Sequence, residues 1–111
     1  MAMMAVGEVE VLTGKLRAAG VDVAKVRDDL LGIVAAAEGA ARRASVAAGP
    51  DKFGSRFRDG EQGFDNTMTG ISEGGRSAAA SFKEMSQGLH DAAGVLDRVE
   101  QVSAEDFDRL T

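Results

Sequence analysis

The sequence predicts an all-α fold, two long helices folded back on each other as an antiparallel helix-turn-helix hairpin. Three observations predict it. Apolar residues recur at alternating spacings of three and four throughout the first half. A second stripe with the same spacing follows Pro50, the single proline. The two stripes also complement each other in size when the chain is folded at that proline.

The first helix is read from about Glu8 to Ala48. Its seam is Val9, Leu12, Leu16, Ala19, Val23, Val26, Leu30, Ile33, Ala37, Ala40, Ala44 and Ala47, apolar at every a and d position of the heptad. Gly49-Pro50 ends it, because glycine suits a left-handed cap and proline cannot continue the hydrogen-bond ladder. Gly49 to Ser55 form the elbow, with Asp51 or Ser55 as the N-cap of the second helix.

The second helix is read from about Arg56 to Val102. Its stripe is Phe57, Phe64, Met68, Ile71, Ala78, Phe82, Met85, Leu89, Ala92, Leu96 and Val99, interrupted at Glu61 and Gly75. Gly60, Gly63, Gly70, Gly74 and Gly75 weaken the first half of this helix, at roughly 1 kcal/mol each relative to alanine. That half has three options: it begins late, kinks, or orders only when packed. From Ser103 to Thr111 the chain reads either as a capping box at Ser103-Asp106 restarting a short helix, or as a frayed acidic tail. The whole of residues 1–111 is taken as a single helical-hairpin domain.

Antiparallel alignment sets Ala37, Ala40 and Ala44 against Phe57 and Phe64. It places Leu30 and Ile33 near Ile71 and Gly75, and Leu12 and Leu16 near Phe82 to Leu89. Small residues then face large ones, which is how layers interdigitate without voids. The first helix carries a further strip beside its seam: Ala24, Leu31, Val34, Ala41 and Ala48. Bundles bury a stripe wider than the a/d seam, so Ala24, Leu31, Val34 and Ala41 are the expected partner interface. Two such hairpins complete a four-helix bundle.

Composition narrows the function classes. Apolar residues make up 44% of the chain and aromatics 5%, without Trp, Tyr or Cys. Any core is therefore built mainly from Ala, Val, Leu and Met, and disulfides and thiolate chemistry are excluded. A net charge of −5 argues against nucleic-acid binding, and Arg42-Arg43, the adjacent basic pair, reads as an exposed turn of helix. The start Met1 to Val6 lacks the basic residues and apolar run of a signal peptide. No stretch is long and apolar enough for a membrane span. Weak amphipathic binding to a membrane surface is a third-rank expectation.

The search for chemistry finds no enzyme and no cofactor. His90, the single histidine, has no partner at metal-ligand spacing and reads as a surface residue. Asp65-x-Thr67-x-Thr69-Gly70 opens like a calcium loop but has Arg76 where a bidentate glutamate belongs. The glycine-rich stretch Gly70 to Arg76 lacks the lysine-hydroxyl pair of a phosphate loop. Asp28-Asp29 and Glu105-Asp106 are adjacent and divergent on a helix, so neither is an acid/base couple.

Chain length, the hairpin pattern, the glycine-containing elbow and the alanine-rich acidic texture together resemble the WXG superfamily of type VII (ESX) secretion proteins. The resemblance is nearest to its divergent, EspC-like members without tryptophan. Where that superfamily has Trp-x-Gly at the elbow, this chain has Phe53-Gly54, with Phe57 following. The superfamily's export signal, Tyr-x-x-x-Asp/Glu just after the second helix, is represented here only by Val102, Asp106 and Phe107. The resemblance implies a non-enzymatic protein that dimerises with itself or a paralogous hairpin. It further implies contact with a type VII ATPase or a larger secreted effector, and a route from cytoplasm to cell surface or medium outside the Sec pathway. The alternative is a cytosolic adaptor, chaperone or antitoxin-like module that covers a partner's helices.

Overall fold

The structure, a computed structural model, describes Val6–Leu110, with side chains from Gly7 onward. Met1–Ala5, on which the reading of the chain's start mostly falls, and Thr111 lie outside the described residues. Three helices occupy the described chain: α1 (Val6–Ala47), α2 (Lys52–Arg58) and α3 (Phe64–Leu110). No strand occurs among the described residues. The protein is all-α, and α1 packs against α3 as a helical hairpin.

The connection differs from a simple elbow. After Ala47, Gly49 takes φ +87°, a left-handed conformation that L side chains rarely adopt, and its N–H donates to the Val46 carbonyl. Asp51 then caps α2 by accepting the Gly54 N–H at 2.9 Å. Arg58, at the end of α2, donates to the carbonyls of Ser45 (2.9 Å) and Gly49 (2.7 Å), satisfying acceptors that the end of α1 leaves open. Asp59 ends α2, Gly60 turns with φ +96°, and α3 begins only at Phe64. The helix expected from Arg56 therefore starts late. The glycines at 60 and 63 break the stripe between Phe57 and Phe64, and the two rings stack across the break with centroids 4.7 Å apart. At the other end, α3 runs without interruption through Ser103–Leu110, so this segment is neither a separate capped helix nor a tail.

The described residues divide into two compact units, one of 26–81 and one of 6–25 with 82–110. In the Val26–Ser81 unit, the buried and half-buried positions of α1 are Arg27, Leu30, Val34, Ala37, Glu38, Gly39, Ala41 and Ser45, and those of α3 include Met68, Ser72, Gly75 and Ala79. Val34 is 6% exposed and lies so close over Gly75 that a Cβ there would overlap its Cγ2. In the other unit the corresponding seam is Val9, Thr13, Leu16, Gly20 and Val23 against Phe82, Ser86, Leu89, Ala93 and Leu96. The Ser86 hydroxyl donates to the Gly20 carbonyl at 2.7 Å.

Both seams keep the expected a positions except Ala44, which is exposed. At every expected d position of α1, and from Ile71 onward in α3, the next residue is the more buried. Ile33, Ile71, Ala78, Met85 and Val99 turn outward, while Val34, Ser72, Ala79, Ser86 and Glu100 turn in. The reason is distance. At Val34, Ser72 and Ser86 the inward residue is the smaller of the two, which lets the helices approach more closely than facing Ile or Met would. The exchanges of Ala78 for Ala79 and Val99 for Glu100 follow the same rotation without a gain in room. The pairing also shifts, because the fold-back lies further along the chain than a seven-residue elbow would put it. Gly75 meets Val34, the residue after the expected Ile33. Arg17, however, pairs with Asp97, and Gly20 with Ser86, so Leu12 and Leu16 are not the partners of Phe82 to Leu89.

Candidate partner interface

The ion pairs fix which flank of each unit is which. Glu38 and Arg76 each follow a seam residue, Ala37 and Gly75, by one position, and they pair at 2.5 Å. Arg17 and Asp97 follow Leu16 and Leu96 in the same way and also pair. In antiparallel helices equivalent positions lie on the same flank, so these pairs mark one polar side. Positions three residues after each a residue fall on the opposite flank. In the Val26–Ser81 unit these are Val26, Ile33, Ala40, Ala47, Ile71 and Ala78. In the other unit they are Leu12, Ala19, Met85, Ala92 and Val99. None carries a charge. Ile33 is 64% and Ile71 56% exposed, and Val26, Met85 and Val99 are exposed as well. On α3 the flank widens with Val95 and Val102, both exposed.

This arrangement separates the residues of the interface expected from sequence. Val34 is buried against Gly75 and serves the hairpin's own packing. Ala41 is half-buried and lines, with Met68, the floor of a groove of about 640 Å³ rimmed by Glu38, Arg42, Asp65, Glu73 and Arg76. Leu31 is exposed and Ala24 half-buried, but both occupy the heptad position of Arg17 and Glu38, the ion-paired flank. The strip thus divides between the seam and the polar side. The apolar flank one position away is the one the heptad reads as seam, and the repeat Ser72, Ala79, Ser86, Ala93 is the signal that separates the two. Small residues every seven positions mark where helices come closest.

The elbow residues are placed separately. Phe53 is exposed, Phe57 is stacked on Phe64, and Gly54 is buried where a Cβ would overlap the Gly49 carbonyl. Phe53-Gly54 therefore divides its roles: the glycine closes α2 onto the end of α1, and the ring faces outward. Val102, Asp106 and Phe107 lie on the last turns of α3 rather than after the helix, where every residue from Gln101 to Leu110 is exposed. Asp106 meets Arg109 at 3.4 Å.

The chemical groups do not converge. The His90 ring covers Gly20, whose added Cβ would lie 2.8 Å from Nε2, and the Ser86 hydroxyl one turn away is committed to the Gly20 carbonyl. Among the described residues no group of three or more His, Asp or Glu is placed to hold a metal ion, and no helix is long and apolar enough to cross a membrane. The arrangement offers surface instead: in each unit, an uncharged aliphatic row opposite an ion-paired one. No family model, curated protein or solved structure matches the chain.

Proposed function

We propose that this chain is a non-enzymatic association module that packs its aliphatic flank against a second helical hairpin, its own copy or a paralogue, to complete a four-helix bundle. The observation that carries the reading is the exposure of Val26, Ile33 and Ile71 in one unit and of Met85 and Val99 in the other, opposite the ion pairs. The sequence resemblance supplies the setting: an exported substrate or co-substrate of a type VII system, cytoplasmic before export.

Light scattering at micromolar concentration tests the association. The wild-type chain is expected to run as a dimer, Ile33→Asp and Ile71→Asp as monomers with unchanged helix content, and Leu31→Asp as a dimer. A monomeric wild type, or dissociation by Leu31→Asp alone, refutes the assignment of the flank. Export is tested separately, by comparing culture medium from cells with and without the type VII ATPase; equal amounts remove the export role and leave the association intact.

A further inference from the structure

We propose that the Asp59-Gly60 turn is a self-modification site, at which the folded chain converts an aspartyl link into an isoaspartyl one. It is the only Asp-Gly pair in the sequence. Both residues are exposed, and nothing lies within 4 Å of the position a Gly60 Cβ would take, so the peptide has room to turn. The neighbouring groups are engaged: the Asp59 N–H donates to the Ser55 carbonyl and the Gly63 N–H to the Gly60 carbonyl. The Gly60 N–H itself donates to nothing among the described residues. Its nitrogen is therefore bare of side chain and free of a hydrogen bond, next to a carboxyl carbon two bonds from its own main chain.

The other aspartates differ. Asp22, Asp28, Asp29, Asp91, Asp97, Asp106 and Asp108 lie inside α1 or α3, where the following N–H is held in the helix ladder, and Asp65, in the first turn of α3, precedes the larger Asn66. Asp51 precedes the bulky Lys52, and its carboxylate accepts the Gly54 N–H.

The chemistry balances with water alone. The Gly60 nitrogen bonds to the Asp59 side-chain carboxyl carbon, the C–OH bond breaks, and hydroxyl and amide proton leave as one water molecule. Water then adds to either carbonyl of the five-membered ring. Opening at the side-chain carbonyl restores aspartate. Opening at the former main-chain carbonyl leaves the chain running through the side-chain carbon, with a free α-carboxylate and one extra methylene in the backbone. That methylene enters the connection between α2 and α3 at its tightest part, where Gly63 lies too close to the Arg58 and Asp59 carbonyls to accept a Cβ. The product is a substrate for carboxyl methylation by an S-adenosylmethionine-dependent enzyme of the isoaspartyl class.

The test is incubation of the intact chain for weeks at mildly acidic and at neutral pH, followed by peptide mapping and methyl transfer from labelled S-adenosylmethionine. A second peak of unchanged mass is expected for the peptide holding Asp59-Gly60, growing faster at the acidic pH. Its rate should match, within a few-fold, that of the chain unfolded in urea. Asp59→Glu, which would need a six-membered ring, should lose the peak. A folded chain that forms none while the unfolded chain does, or isoaspartate spread evenly over the helical aspartates, overturns the proposal.

Discussion

The rotated seam makes a sharp demand on Gly75. In an exposed helix, glycine to alanine is worth about 1 kcal/mol in favour of alanine. At position 75 the new methyl would overlap Val34 Cγ2, and valine, branched at Cβ, has little rotamer freedom in a helix to move away. Overpacking of this kind costs about 1–3 kcal/mol, so Gly75→Ala should be neutral to destabilising by about 2 kcal/mol after the propensity gain. Val34→Ala alone removes two methyl groups from a site 6% exposed, at about 1–2 kcal/mol. In the double variant the methyl at 75 enters the space vacated at 34, the clash is gone and the propensity gain remains. The two changes should then couple favourably by about 1–2 kcal/mol, within the range found for touching residues. Urea titrations followed by circular dichroism measure all four corners of the cycle. If Gly75→Ala is stabilising by the full propensity gain and the cycle shows no coupling, Val34 does not touch Gly75 and the rotated seam is refuted at that point.

Other outcomes depend on single groups. The Thr13 hydroxyl is buried at 1% exposure and has no hydrogen-bond partner, so Thr13→Val should raise stability by about 1 kcal/mol in thermal melts. Arg58→Met removes both donors to Ser45 and Gly49 and should cost about 1–3 kcal/mol, read by the same urea titration. Gly54→Ala sets a methyl against the Gly49 carbonyl, and about 1–3 kcal/mol of destabilisation is expected, with loss of α2 visible as faster amide exchange. Asp97→Asn breaks a half-exposed ion pair with Arg17 and should change stability by under about 1 kcal/mol, less still in high salt.

The two long helices and their antiparallel pairing are legible because they depend on spacing and punctuation. The apolar heptads set helix type, and Gly49-Pro50 set the end of α1. The phase of the seam is not legible by the same rule. At each second position two neighbours compete, Ile33 with Val34, Ile71 with Ser72, Met85 with Ser86, and hydropathy selects the larger. Packing selects the smaller, because backbone approach and the Ser86 bond to Gly20 are available only there. The candidate interface inherits that choice, so hydropathy assigns Val34 to a partner and Ile33 to the core, whereas Val34 is buried and Ile33 exposed. The late start of α3 is half visible in its glycines. The contacts that decide it, the Arg58 hold on α1 and the Phe57 stack on Phe64, join residues that no periodicity connects.

The end of α3 has a consequence for how the chain comes apart. Gln101 to Leu110 form helix with every residue exposed, yet an isolated helix shorter than about 12–15 residues is marginal in water, because its first turn must be nucleated at a loss. These residues escape nucleation by growing from turns already formed. Their order is borrowed, one residue at a time, from Leu96 and Glu100 behind them. Melting there needs no cooperative event, and amide exchange should rise as a gradient toward Leu110 instead of a step. Anything that grips Phe107 or Leu110 as helix would lengthen the ordered part of α3 from its loosest end.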